Sequence, residues 1–162
     1  MTTASPGVVG ARQTGTFPLY NTTTDDLGKT VFTSPGRLSN TIIFDTVDTS
    51  TGANVAYNNA TGVFTLSSGV TYNLTTNARL LNYTPPPSEP AALEWFNTAT
   101  QARIGDSTAI GSPCITTFTT TGATTVAVRA ACSSSVLNYQ WQYPASLQRG
   151  TASVTAISGW TE

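Results

Sequence analysis

The chain contains no histidine, one methionine, two cysteines and very little charge: seven Lys and Arg against eight Asp and Glu in 162 residues. Without histidine, the commonest general base and metal ligand is missing. The carboxylates fall singly or as neighbours such as Asp25-Asp26, with no spacing that suggests a dedicated acid and base. An enzyme is therefore not expected, and neither is a cofactor or a resident metal. Asp45 and Asp48 are the only pair resembling a calcium loop, and two carboxylates are also what an ordinary solvated loop carries. A net charge of -1 with scattered basic residues excludes the basic stripe that nucleic acid requires. No run approaches the roughly 20 apolar residues of a membrane span. The opening MTTASPGVVGARQ has no apolar core of a secretory signal, so synthesis and folding in a cytoplasm are expected. Sequons at Asn21, Asn59, Asn73 and Asn82 are unsurprising in a chain so rich in Ser and Thr.

Hydrophobic residues make up 39% of the chain and charged residues 9%, where about a quarter is ordinary. That length and apolar content suit one domain with a sizeable core. Thr and Ser take the solvent-facing positions that charge usually fills. A β-branched hydroxyl residue suits a pleated, half-wet surface, so the composition favours strands. Such a surface relies little on ionic repulsion for solubility and fits a protein that works inside an assembly.

The stretch from Asn40 to Leu81 is the most informative. Phe44, Phe64 and Tyr72 are the large apolar groups of three short runs, each bounded by Gly, Asn, Ser or Thr. The expected order is strand, long loop, then a hairpin of the Phe64 and Tyr72 strands. The series Phe44-Asp45-Thr46-Val47, Gly62-Val63-Phe64-Thr65-Leu66 and Gly69-Val70-Thr71-Tyr72-Asn73-Leu74 resembles the jelly roll of the tumour necrosis factor and complement globular-head superfamily. Glu94-Trp95-Phe96 followed by Ile104-Gly105 resembles the sequel found in viral coat and fibre versions of that module. The resemblance covers the C-terminal three quarters of the chain and lacks the aromatic-rich later strands of the animal members. It implies an antiparallel β-sandwich over residues 39–162, assembled as a homotrimer and used for structure or attachment.

Residues 1–38 read differently. Pro6, Pro18 and Pro35 interrupt every short apolar group, and no period persists. An extended N-terminal arm is expected, with Val8, Val9, Phe17, Leu19, Tyr20, Val31 and Phe32 as anchors for grooves on a neighbouring subunit. The plainer alternative is that it packs along its own domain or supplies the first strand.

Further along, Tyr83 to Pro90 is a proline-rich connection that must run extended. Ala91 to Phe96 and Arg103 to Asp106 are expected to form a hairpin. Cys114 and Cys132 bracket CITTFTTTGATTVAVRAAC, and a hairpin turning at Gly122 to Thr124 would set them opposite one another. A cross-strand disulfide is then geometrically allowed, while two small buried thiols suit a reducing cell. In Thr125 to Ala131, Val126 and Val128 alternate with Ala127 and Arg129, which predicts a half-buried strand with its charge facing out. Ser153 to Ile157 is expected as the final strand, placed within a sheet. Tyr139, Trp141 and Tyr143 alternate with Gln, and aromatics at this spacing point to one side. They could stack a host glycan, or pack at a trimer axis or in the core.

Two functions follow as expectations. One is a capsid decoration or cement protein of a tailed phage, a trimer binding itself and the major capsid protein on the virion surface. The other is a receptor-binding fibre head or lectin-like attachment module, which the lack of any stalk repeat disfavours.

Overall fold

The computed structural model describes residues 7–14, 17–18, 21–24, 30–33, 41–81, 91–109, 111–132, 140–141 and 146–158. All the regular structure among them is β, and every strand pair is antiparallel. In chain order the strands are β1 (Val8–Arg12), β2 (Phe17–Pro18), β3 (Asn21–Thr24), β4 (Thr30–Thr33), β5 (Thr46–Thr51), β6 (Val55–Asn58) and β7 (Val63–Leu66). They continue with β8 (Thr71–Leu81), β9 (Ala91–Asn97), β10 (Arg103–Ala109), β11 (Cys114–Thr119), β12 (Thr124–Cys132), β13 (Gln140–Trp141) and β14 (Ser146–Ser158).

Two sheets form the sandwich. The first has the order β11-β8-β14-β1-β5, with β2 also paired to β14, and the second has the order β10-β9-β12-β7-β6. A small third sheet joins β13, β4 and β3. The inward faces follow the period of two. Tyr72, Leu74, Thr76 and Ala78 of β8 are buried while the residues between them are half-buried, and Ala152, Val154 and Ala156 repeat this in β14. Facing them are Phe64, Leu66, Leu93, Trp95, Val126 and Val128 of the second sheet, all at 1% exposure or less. Trp95 meets Phe64 edge-on, with centroids 5.5 Å apart, and Phe64 packs on Tyr57 at 4.3 Å. The Trp95 indole N–H has no hydrogen-bond partner, a cost accepted for the largest buried side chain in the core.

The expected all-β antiparallel sandwich is present, with the last strand inside a sheet and with the Ala91 to Asp106 hairpin as β9 and β10. Four local expectations are corrected. First, residues 8–12 are the strand β1, inserted between β14 and β5, so the body does not begin at residue 39. Val9 is wholly buried in the core and Val8 is half-buried on the sheet's outer side, so neither belongs to a free arm. Asn21–Thr24 and Thr30–Thr33 pair as a hairpin instead of running extended. Second, the strands of Phe64 and Tyr72 lie in different sheets; the hairpin partner of β7 is β6, through the turn at Asn59–Gly62. Gly62 takes φ +79° there, and a Cβ on it would come within 2.6 Å of the Ile42 carbonyl oxygen.

Third, β11 pairs with β8 and β12 with β9 and β7, so the turn at Gly122 crosses between sheets and Cys114 does not face Cys132 across a hairpin. Cys114 is a free, buried thiol whose pKa is raised by burial. The side chain of Cys132 lies outside the described residues. Fourth, Arg129 is 4% exposed: its face of β12 is covered, not solvated.

Two of the connections between sheets, Ser67–Val70 and Thr120–Ala123, are bonded to each other. Gly69 N donates to Thr120 O and Thr120 N to Val70 O, while the buried Thr120 hydroxyl donates to Ser67 O at 2.6 Å. Beside them the Tyr72 hydroxyl donates to Asn54 O at 2.6 Å and accepts from Ser67 N at 2.8 Å. Tyr57 does the same for the segment before β5, accepting from Phe44 N and donating to Phe44 O. Phe44 thus reaches the core from a segment that is not itself a strand. Burial pushes the Tyr57 phenol up to about 12.

Replacing Tyr72 by Phe keeps the ring and removes only the bridge between Ser67 and Asn54. Because Ser67 N also donates directly to Asn54 O, the expected loss is about 1–2 kcal/mol, read as a lower denaturant midpoint with unchanged slope.

Candidate functional site

The outer face of the first sheet is the most distinctive surface of the molecule. Strand pairing aligns two complete rows across five strands, from β11 through β8, β14 and β1 to β5. One row is Ile115, Thr75, Ser153, Gly10 and Thr49; the next is Thr117, Asn73, Thr155, Val8 and Thr51. Ten residues in register carry no charge. Their neighbours in sequence, such as Leu74, Val154 and Val9, are buried on the inner side, so the period of two sends these ten outward. The side chains are short, apart from Ile115, which is 61% exposed. Thr71 and Thr119 extend the face and share a hydrogen bond between their hydroxyls at 2.8 Å.

Charge sits at the margin of this face. Arg12 Nε pairs with Asp48 Oδ1 at 2.9 Å, and both side chains are about half exposed. Asp45 is fully engaged next to them: its Oδ1 accepts from Thr14 N at 2.9 Å and from the Thr46 hydroxyl, and its Oδ2 accepts from the Thr14 hydroxyl at 2.6 Å. The Thr14 bonds hold the Asp45 carboxyl below its ordinary value of 3.8. Gln13 adds a buried latch, accepting at Oε1 from Gly150 N and donating from its backbone N to Gly150 O. The chain therefore leaves β1 at a fixed point. Asp45 and Asp48 turn their carboxylates to Thr14 and Arg12 respectively, not to a shared centre. No group of three or more His, Cys, Asp or Glu residues that could hold a metal occurs among the described residues.

On the outer side of β9 and β12 lies a second polar cluster, built on the buried Glu94 and Arg129. Arg129 Nε donates to Glu94 Oε1 at 2.7 Å, and Glu94 and Arg129 are opposite each other in register. The two guanidinium Nη atoms donate to Gln101 Oε1 at 3.2 Å and Gln101 O at 3.0 Å, and the group lies 4.2 Å over the Phe96 ring. Gln101 takes φ 63° to make these contacts. This is a positioning device for the 97–102 loop; every guanidinium nitrogen has a partner, so it offers no open chemistry. The sequence signal for it was a single charge in each of two apolar strands, AALEWF and TVAVRAA.

Of the residues singled out as partner anchors, Val8 and Val9 belong to the sheet. Phe17, Val31, Phe32 and Trp141 lie on strands, with Phe32 opposite Trp141 in the small sheet. Their side chains, and Leu19, Tyr20, Tyr139 and Tyr143 entirely, are outside the described residues. The uncharged face was not picked out in advance: its residues come from five strands spread over the whole chain, and only the register brings them together. No helix among the described residues is long and apolar enough to cross a membrane.

No protein-family model matches the chain, and no curated protein matches it. Among solved structures, the globular domain of the zebrafish complement 1qA protein is similar, with a TM-score of 0.54 and 11% identity over 96% of this chain and 100% of that one. A Clostridium thermocellum N-terminal endo-1,4-β-D-xylanase complexed with xylohexaose aligns at 10% identity over 94% of this chain and 27% of that one; its TM-score of 0.30 carries no argument. The first likeness agrees with the two-sheet topology: the fold is the jelly roll of the complement globular domain.

Two outcomes follow from the charged groups. Replacing Arg129 by Met strands the buried Glu94 carboxylate and should cost about 3–5 kcal/mol. Adding Glu94→Leu should recover most of that loss in a double-mutant cycle followed by chemical denaturation. Asp45 has a lowered folded pKa, so its contribution to stability is complete above 3.8 and is lost as pH falls through the folded value. Between about pH 5 and about pH 2 the wild type should lose a component of stability that the Asp45→Asn variant lacks throughout.

Proposed function

We propose that this jelly-roll chain is a structural virion protein, a homotrimeric capsid decoration or cement protein of a tailed phage, made in the host cytoplasm and working on the shell without catalysis. The observation that carries this reading is the five-stranded face whose two central rows bear no charge. A monomer that relied on its own surface for solubility would be expected to place charge there. Partner subunits can cover such a face without desolvating ions.

The mechanism is physical stapling. The jelly-roll bodies pack together, and the segment that follows the pairing of β2 with β14 engages neighbouring capsid subunits. Since Val9 is spent on the chain's own core and Phe17 lies on β2 in the chain's own first sheet, the apolar anchors are Leu19, Tyr20, Val31 and Phe32. At about 25 cal/mol per Å² of apolar area, a few anchors contribute several kcal/mol before ordering costs. Three segments held on one trimer multiply that hold through effective concentration. The absence of histidine and the engagement of Asp45 and Asp48 with Thr14 and Arg12 are consistent with a protein that performs no reaction.

Two measurements test the reading together. The purified chain should have a solution mass three times its 16.9 kDa. Antibody raised against it should label the shells of intact virions from its source. A monomer, or particles without label, overturns the proposal, and label confined to tail-fibre tips replaces it with an attachment head.

A further inference from the structure

Gln101 is the one non-glycine residue with a positive φ among the described residues, and it is exposed while Arg129 beneath it is 4% exposed. A left-handed backbone on a residue with a side chain is strained, and such strain persists only where neighbouring contacts hold it. Here those contacts converge on one guanidinium. Gln101 Oε1 accepts from Arg129 Nη1 at 3.2 Å, and Gln101 O accepts from Nη2 at 3.0 Å. One acceptor oxygen on each Nη is also the pattern in which a carboxylate grips the end of a guanidinium. Gln101 is a neutral stand-in for that ligand.

The guanidinium is aimed at this spot by groups other than Gln101. Its Nε is fixed on Glu94 Oε1 at 2.7 Å, and its central carbon lies 4.2 Å over the Phe96 ring. The base of the 97–102 loop is likewise closed without Arg129, since Asn97 N donates to Ala102 O at 2.9 Å and Thr98 N to Thr125 O at 3.0 Å. A rotamer change of Gln101 and a turn of its peptide therefore withdraw both oxygens while the loop keeps its footing. Two oriented N–H donors are then open. Local charge favours an anion there: Glu94 balances Arg129, but Arg103, exposed and opposite Phe96 in register, has no carboxylate partner among the described residues. Asp106 lies past the β10 bulge, where its carbonyl meets the Cys114 thiol.

We propose that Arg129 is a gated carboxylate site: Gln101 closes it in the free chain, and a carboxylate steered by Arg103 takes the two Nη atoms when Gln101 swings out. A peptide side chain, a chain terminus and a free organic acid share this chemistry. The site is complete within one chain and does not rest on the assembly reading.

The test is a titration of the isotope-labelled full chain, followed by NMR at the backbone amides from Thr98 to Arg103 and at Arg129 Nε. The probes are sodium acetate and the peptide acetyl-Gly-Glu-Gly-amide, with sodium chloride and acetyl-Gly-Gln-Gly-amide as controls. Both carboxylates should give saturable shifts at these signals, and the controls none. Gln101→Gly accepts the same backbone and deletes Oε1, so it should tighten binding about tenfold, the worth of one competing hydrogen bond. Arg103→Gln, at an exposed position, should weaken binding about threefold. Tighter binding of the peptide than of acetate assigns the ligand to a partner chain, and the reverse assigns it to a free acid. The proposal is overturned if neither carboxylate saturates on the wild type or on Gln101→Gly, if chloride reproduces the shifts, or if both substitutions leave the affinity unchanged.

Discussion

The pairing of β8 with β14 is the interaction on which the rest of the molecule depends. It runs from Thr71 opposite Ser158 to Leu81 opposite Ser146, with bulges at Gln148/Thr151 and Ala156/Ser158. Tyr72, Leu74, Thr76 and Ala78 on one strand and Ala152, Val154 and Ala156 on the other face inward together only in this register. A slip of one residue by either strand would turn that strand's inward set to solvent. The same register decides what the outside presents, since Asn73 and Thr75 come to lie beside Thr155 and Ser153. β1 then docks on the free edge of β14, and β5 on β1. One strand pair thus sets both the core and the external face.

Charge is handled in two opposite ways. On the first sheet the two central rows of the outer face carry none, while at the margin Arg12 pairs with Asp48, Asp45 is bonded to Thr14, and Arg79 is exposed farther along β8. On the second sheet an ion pair is taken inside, where Arg129 is held by Glu94, Gln101 and the Phe96 ring. Burial of an ion pair is tolerable only when each donor finds an acceptor, and Gln101, with its left-handed backbone, provides two: its side-chain Oε1 and its carbonyl oxygen. The outcome is a hydrogen-bonded loop on one sheet and two uncharged rows on the other.

How far this was legible from residues alone varies from element to element. β9 and β10 were legible because a continuous apolar run, a polar break at Asn97 to Thr100 and a second run determine a local hairpin. The final strand was legible because Val154 and Ala156 alternate with polar residues. The turn at Gly122 was recognised, but a turn signal shows that the chain reverses and not which sheet it enters, so β11 and β12 were taken for partners. The turn at Gly69 misled in the same way. Residues 8–12 were assigned to an arm because five residues containing Gly10 show too little period, and their place between β14 and β5 comes from partners more than thirty residues away. Arg129 read as solvent-facing because a period of two says which residues share a side of a strand and is silent about what covers that side.

The sequence by itself determined the class and character of this protein. Threonine-rich alternation and low charge are local or compositional properties, and they favour β structure and an exterior of low charge. Tertiary structure alone decided which strands share a sheet, that the first strand closes the body, and that ten residues from five separate segments form one charge-free plane. Those outcomes rest on long-range antiparallel register, a relation between distant segments that no short window of residues contains.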